Sequence, residues 1–203
     1  AKNGLGPESW VHERNIGGRP YNDMSVGYAD SQRVWTDTDL STPDMYQKCA
    51  LRWYKCRTLY AYDMDAKNML RTAPDNRDGV RQMLSMVYIV SGRLLLGNSF
   101  AKLSPEMLED LSRIYPMHRS RLSARPLDAF ENPGCPRVYD FAVNDEWHQL
   151  ALYNPRTEKA DTVSVDLGAS PGRGGLGLDT DRQYYVYDFW NDKLAGVVKG
   201  SEN

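Results

Sequence analysis

Cysteine is scarce in this chain, with three in 203 residues, and Cys49, Cys56 and Cys135 include no CxxC pair. So sparse and odd a set supports neither a dense disulfide framework nor a zinc site, and it leaves the redox compartment open. Histidine is equally sparse: His12, His118 and His148 include no pair at metal-ligand spacing, and their order with Ser and Asp suggests no Ser-His-Asp arrangement. Long apolar runs are missing too, so no stretch approaches the roughly 18 residues a membrane span requires. No charge of one sign prevails, since Lys plus Arg number 25 against 27 Asp plus Glu, a net charge of -2. The expected partners therefore include neither nucleic acid nor membrane. What is present is ordinary for a folded protein, 41% hydrophobic, 26% charged and 11% aromatic, which excludes a disordered chain. The first residues, Ala1-Lys2-Asn3-Gly4, hold no initiator Met and open no signal-peptide pattern, so the chain is expected to be a processed product or a fragment.

The texture changes near Pro133-Gly134-Cys135-Pro136. Before it, short apolar stretches (Ser9-Trp10-Val11-His12, Arg33-Val34-Trp35-Thr36, Leu59-Tyr60-Ala61-Tyr62, Arg93-Leu94-Leu95-Leu96) alternate with helical patterns over 43–57, 78–91 and 104–115. In the last of these, Ser104 is an N-cap and Pro105 sits at N1, with Leu108, Leu111 and Ile114 as the expected buried stripe. Alternating strands and helices predict parallel βα units. A full (β/α)8 barrel needs about 250 residues, so the first part holds about half of one. After residue 135 the pattern has period two, over 137–143, 147–153, 162–167, 183–190 and 194–198, which predicts antiparallel strands. Pro171-Gly172-Arg173-Gly174-Gly175 reads as a long flexible connection rather than a phosphate loop. The expected organisation is the C-terminal half of a (β/α)8 TIM barrel over 1–125, followed by an antiparallel β-sandwich over 126–203.

Catalytic groups of parallel barrels gather at the carboxyl ends of strands. Four polar clusters fall at such ends: Glu13-Arg14-Asn15 with Arg19 and Asp23, Asp37-Thr38-Asp39, Asp63-Met64-Asp65, and Gly97-Asn98-Ser99. Carboxylates collected with Arg33, Trp35, Trp10 and Tyr62 suit a neutral polyhydroxyl ligand, whose hydroxyls donate to carboxylates and whose C–H surfaces stack on aromatic rings. Helix capping is the competing duty for such carboxylates. Thr42-Pro43-Asp44 already opens the next helix, which frees Asp37 and Asp39, whereas Asp63 and Asp65 fit either role.

In this order, the clusters resemble the α-galactosidase (melibiase) clan of glycoside hydrolases. Val11-His12-Glu13-Arg14-Asn15-Ile16-Gly17-Gly18-Arg19 with Asp23 is similar to its fifth-strand segment, and Gln32-Arg33-Val34-Trp35-Thr36-Asp37-Thr38-Asp39 to its sixth. Tyr62-Asp63-Met64-Asp65 resembles the seventh-strand Asp-Pro-Asp motif with Met for Pro, and Ser91-Gly92-Arg93-Leu94-Leu95-Leu96-Gly97-Asn98 the eighth strand. Leu103-Ser104-Pro105-Glu106 resembles the start of the last helix, and Tyr185-Val186-Tyr187-Asp188-Phe189-Trp190 part of the C-terminal β domain. The resemblance implies a retaining hydrolase of terminal α-linked sugars, with Asp37 as acid/base and Asp39 as its neighbour or substitute. Glu13, Arg19, Asp23, Arg33, Trp35 and Asp65 become substrate-binding residues, with no metal and no cofactor. The family's nucleophile lies on a fourth strand that this sequence lacks, so the resemblance also implies a missing N-terminal half-barrel, in the same or a companion chain. The alternative is a non-catalytic carbohydrate-binding or structural fragment. Sugar, linkage and compartment (cytoplasm, periplasm or outside the cell) stay open.

Overall fold

Three short strands, β1 (His12–Glu13), β2 (Ser31–Arg33) and β3 (Ala61–Asp63), lie parallel and side by side in sequence order. They belong to a computed structural model that describes residues 2–14, 26–33, 43–72, 76–91, 93–118, 123–155 and 159–199. Parallel neighbours require a crossover between them, and the one from β2 to β3 carries helix α2 (Pro43–Leu51). A short helix, α1 (Lys2–Leu5), precedes β1. A second parallel pair joins β4 (Ala66–Lys67) to β5 (Leu95–Leu96), and its crossover carries α3 (Met69–Thr72) and α4 (Arg77–Met86), the latter running into a π turn over Val87–Ser91. Among the described residues no sheet closes on itself.

The short helices α1 and α3 carry no expected pattern, and the pattern over 78–91 is α-helical only to Met86 before its π turn. The pattern over 43–57 ends as an α-helix at Leu51 and continues as a 3-10 turn over Trp53–Lys55, with Cys56 paired to Tyr60 in an isolated bridge. In α5 (Pro105–Arg113), Ser104 caps as expected, its Oγ accepting from Met107 N at 3.2 Å. The buried stripe, however, is Met107, Asp110, Leu111 and Ile114, while Leu108 is exposed. The helix is rotated because Asp110 holds an inward position, where Arg77 and Arg81 of α4 bind both its oxygens.

The chain divides into two compact units, Ala1–Arg125 and Pro126–Asn203. β6 (Arg125–Pro126), which falls at the division, and β7 (Val138–Asn144) and β8 (Trp147–Leu152) of the second form one sheet in that order, with β7 and β8 antiparallel. Both oxygens of Asp128 accept the Arg137 backbone N–H, and Oδ1 also accepts that of Val138, which fixes the entry to β7. A separate hairpin pairs β9 (Gln183–Asp188) with β10 (Lys193–Lys199), and its Tyr185, Tyr187 and Val197 are exposed. The period-two segment 162–167 is not a strand. Its Val163, Val165 and Leu167 do pack on the cluster of Leu127, Val138 and Leu176, but its backbone turns at Asp166, whose Oδ1 accepts from Gly168 N and Ala169 N. The Gly-rich segment is exposed over Pro171–Arg173 but closes at its end, where Gly175 is buried and Gly175 N donates to Ser170 O; just after it, Leu176 N, Gly177 N and Leu178 N donate to Asp166 O, Ala169 O and Leu167 O.

Candidate functional site at the ends of the parallel strands

Side chains alternate along a strand, and the register of β1–β3 decides which of them meet. His12 is opposite Ser31, Ser31 opposite Ala61, and Arg33 opposite Asp63. His12, Ser31, Arg33 and Asp63 therefore share one face, while Glu13, Gln32 and Tyr62 share the other. Hydrogen bonds agree with this division. Tyr28 Oη donates to both oxygens of Glu13 at 3.0 Å, and Tyr62 Oη donates to Arg52 O, just past α2, at 2.7 Å.

On the polar face, Ser31 is fully buried and its hydroxyl is the centre of a cluster. Trp10 Nε1 (3.1 Å) and Arg93 Nη1 (2.8 Å) donate to its Oγ, which lies 2.7 Å from His12 Nδ1. A hydroxyl has two acceptor lone pairs and one proton. With both lone pairs occupied by N–H donors, the Ser31 proton goes to His12 Nδ1, and the neutral imidazole carries its own proton on Nε2. That nitrogen is 3.1 Å from Asp63 Oδ2, bent out of line for a full hydrogen bond. The other oxygen, Asp63 Oδ1, accepts the backbone N–H of Asp65 at 2.8 Å.

Asp65 sits in the left-handed region at φ 69, a conformation that Asp tolerates because its short side chain bonds locally. Its Oδ1 accepts from Ala66 N at 2.7 Å and pairs with Arg33 Nη2. The turn after β3 is thus tied to the end of β2. Burial lowers the His12 pKa most; Asp63 opposes this, and the Arg93 and Arg33 cations add to it.

Of the residues singled out in the sequence, Arg33 and Asp65 are brought together. Glu13 lies on the opposite face, and so does Tyr62, expected in the ligand pocket but instead buried toward α2. Arg14 is exposed after β1. Arg19, Asp23, Trp35, Asp37 and Asp39 lie outside the described residues. The Ser-His-Asp grouping that the sequence order did not suggest is present: its members come from three strands, and only strand register joins them. Lys67 of β4, fully buried, had no distinguishing signal either, since a lone Lys between Ala and Asn reads as surface. Among the described residues no three His, Cys, Asp or Glu side chains are grouped to hold a metal ion, and no helix is long and apolar enough to cross a membrane. No protein-family model and no curated protein matches this chain.

Proposed function

We propose that this chain is the C-terminal part of a retaining glycoside hydrolase resembling the α-galactosidases, acting on terminal α-linked sugars with Asp37 as acid/base. In this reading residues 1–125 are half of a (β/α)8 barrel and residues 126–203 a β-sandwich domain. The observation that carries it is the meeting of Arg33, Asp63 and Asp65 at the carboxyl ends of adjacent parallel strands, the end where such folds hold ligands. Asp37 follows Arg33 by four residues in the sequence. A retaining mechanism needs a protonated acid at the leaving oxygen and an ionised carboxylate about 5 Å away at the anomeric carbon. Asp39 would raise the pKa of such an acid and Arg33 would lower it. In this reading Arg33 and Asp65 supply hydrogen bonds to the sugar and Trp35 a stacking face, with Arg19 and Asp23 extending the polar set.

One observation favours the second reading, a non-catalytic carbohydrate-binding or structural part: Asp63 is buried and Asp65 is engaged by Arg33, so neither is presented to replace the nucleophile that the first reading places outside this chain. Hydrolysis of an aryl α-galactoside by the whole protein, native and Asp37→Asn, separates the two. Loss of turnover by a factor of about 100 to 10,000 is expected for removal of a general acid. Unchanged turnover removes Asp37 from the mechanism, and saturable galactoside binding without turnover in the native protein establishes the second reading.

A further inference from the structure

We propose that His12 is a positioning residue, held as the neutral Nε2–H tautomer by Ser31, that orients Asp63 and through it the Asp65 turn and Arg33 for the ligand. The proposal deepens the functional reading above and rests on it for the ligand, though not for the cluster. Ser31 itself is no nucleophile: it is fully buried, both lone pairs are taken and its proton is committed to His12. Its part is to fix the imidazole. Trp10 and Arg93 hold the hydroxyl, the hydroxyl holds Nδ1, and Nε2–H is left 3.1 Å from Asp63 Oδ2, where it acts on the carboxylate electrostatically rather than through an aligned hydrogen bond.

From Asp63 the connection continues to the Asp65 amide, and from Asp65 to Arg33. Four segments that each approach the site separately (β1, β2, the turn after β3 and Arg93 before β5) are thereby tied to one ring. Protonation of Nδ1 breaks the arrangement, because Ser31 would then face three N–H donors with two lone pairs, and Arg93 Nη1 lies only 3.4 Å from Nδ1. The charged groups acting on the ring are Asp63 on β3, which favours protonation, and Arg93 and Arg33, which oppose it. The assembled site is therefore the state with His12 neutral.

The test is imidazole and amide 15N NMR of the protein across about pH 4.5 to 8.5, a range bracketing the ordinary histidine value, with His12 assigned by its loss in His12→Gln. Expected are an Nε2–H tautomer near neutrality, a midpoint below that value, and an Asp65 amide that titrates with the same midpoint. Ser31→Ala frees Nδ1 and raises the midpoint by at least about half a unit; Arg93→Met, which removes the nearby cation, does the same if Ser31→Ala does not fold. An Nδ1–H tautomer, a midpoint unmoved in the variants or an Asp65 amide blind to His12 overturns the proposal. On an aryl α-galactoside the acidic limb of turnover should follow the His12 midpoint and shift with it in Ser31→Ala; a limb that stays fixed severs His12 from the site. Absence of all turnover counts against the proposed hydrolase, while the tautomer, the midpoint and the Asp65 amide still decide the role of His12.

Discussion

Arg33 Nη2 lies 2.5 Å from Asp65 Oδ1, with 9% and 11% of the two side chains exposed, so the end of β2 and the turn after β3 share a largely buried ion pair. Removing one member of such a pair leaves the other charge without compensation, at a cost of about 3–5 kcal/mol. Arg33→Met is therefore expected to destabilise the protein by about 3 kcal/mol in urea unfolding, and the double variant with Asp65→Asn to recover part of that loss. Asn keeps the tolerance for positive φ that the turn needs. Strictly additive single and double variants would show that the pair does not couple the two elements.

Two histidines set the pH dependence of stability. His12 and His118 both have pKa values lowered, chiefly by burial; for His118, Arg57 adds to this and the hydrogen bond to Tyr88 O opposes it. A folded-state pKa below the unfolded value of about 6.5 means that the unfolded chain binds more protons between the two. Stability from these groups is complete above that value and declines as pH falls through the lowered ones. Chemical denaturation midpoints should rise with pH up to about 6.5 and then level off, with a smaller rise in His12→Gln and in His118→Gln. A flat profile across that interval contradicts the folded-state environments described for both rings.

Much of the first unit was legible because its elements are defined locally. Ser104 caps α5, and within the helical pattern over 78–91 Val80, Met83, Leu84 and Val87 form a buried face; the Asn76 cap of α4 emerged only in the structure. The rotation of α5 was not legible, since a buried Asp110 looks like any surface aspartate until Arg77 and Arg81 of another helix are brought beside it. The segment 162–167 kept its alternation in burial but not a strand, because Asp166 captures the following amides and turns the chain. At the site, composition pointed to carboxylates and aromatics near strand ends, yet face assignment depends on parity. A one-residue difference in where β1 begins decides whether Glu13 or His12 faces Arg33, and no short-range pattern carried that information.

Asp110 is fully buried, and although burial pushes its pKa up, the hydrogen bonds from Arg77 and Arg81 outweigh that effect and hold it below the usual carboxylate value. Its contribution is present above the unfolded value of about 3.9 and disappears as pH drops through the lower folded one. Asp110→Asn keeps the shape but loses the charge, and should cost about 2–4 kcal/mol near neutrality, with a smaller penalty near pH 3. Leu108→Ala, on the exposed side of the same helix, should change stability by less than about 1 kcal/mol. Equal costs for the two variants would return α5 to the orientation expected from its apolar spacing alone.

Gly175 tests the packing of the second unit. A Cβ at this position would overlap Ala169 O and stand 2.6 Å from Ala169 C, a collision with backbone rather than with a flexible side chain. The carbonyl has little freedom to withdraw, because Gly177 N donates to it at 2.8 Å while Asp166 Oδ1 binds the Ala169 amide. Gly172 lies in the same segment, and a Cβ added there would meet nothing within 4 Å. Gly175→Ala is therefore expected to destabilise the unit by about 2–3 kcal/mol or more, and Gly172→Ala to stay within about 0.5 kcal/mol. Thermal unfolding followed by the fluorescence of Trp147 and Trp190, both in this unit, reads the difference. A loose glycine-rich connection would tolerate both substitutions equally; a close turn folded onto Ala169 tolerates the added methyl only at Gly172.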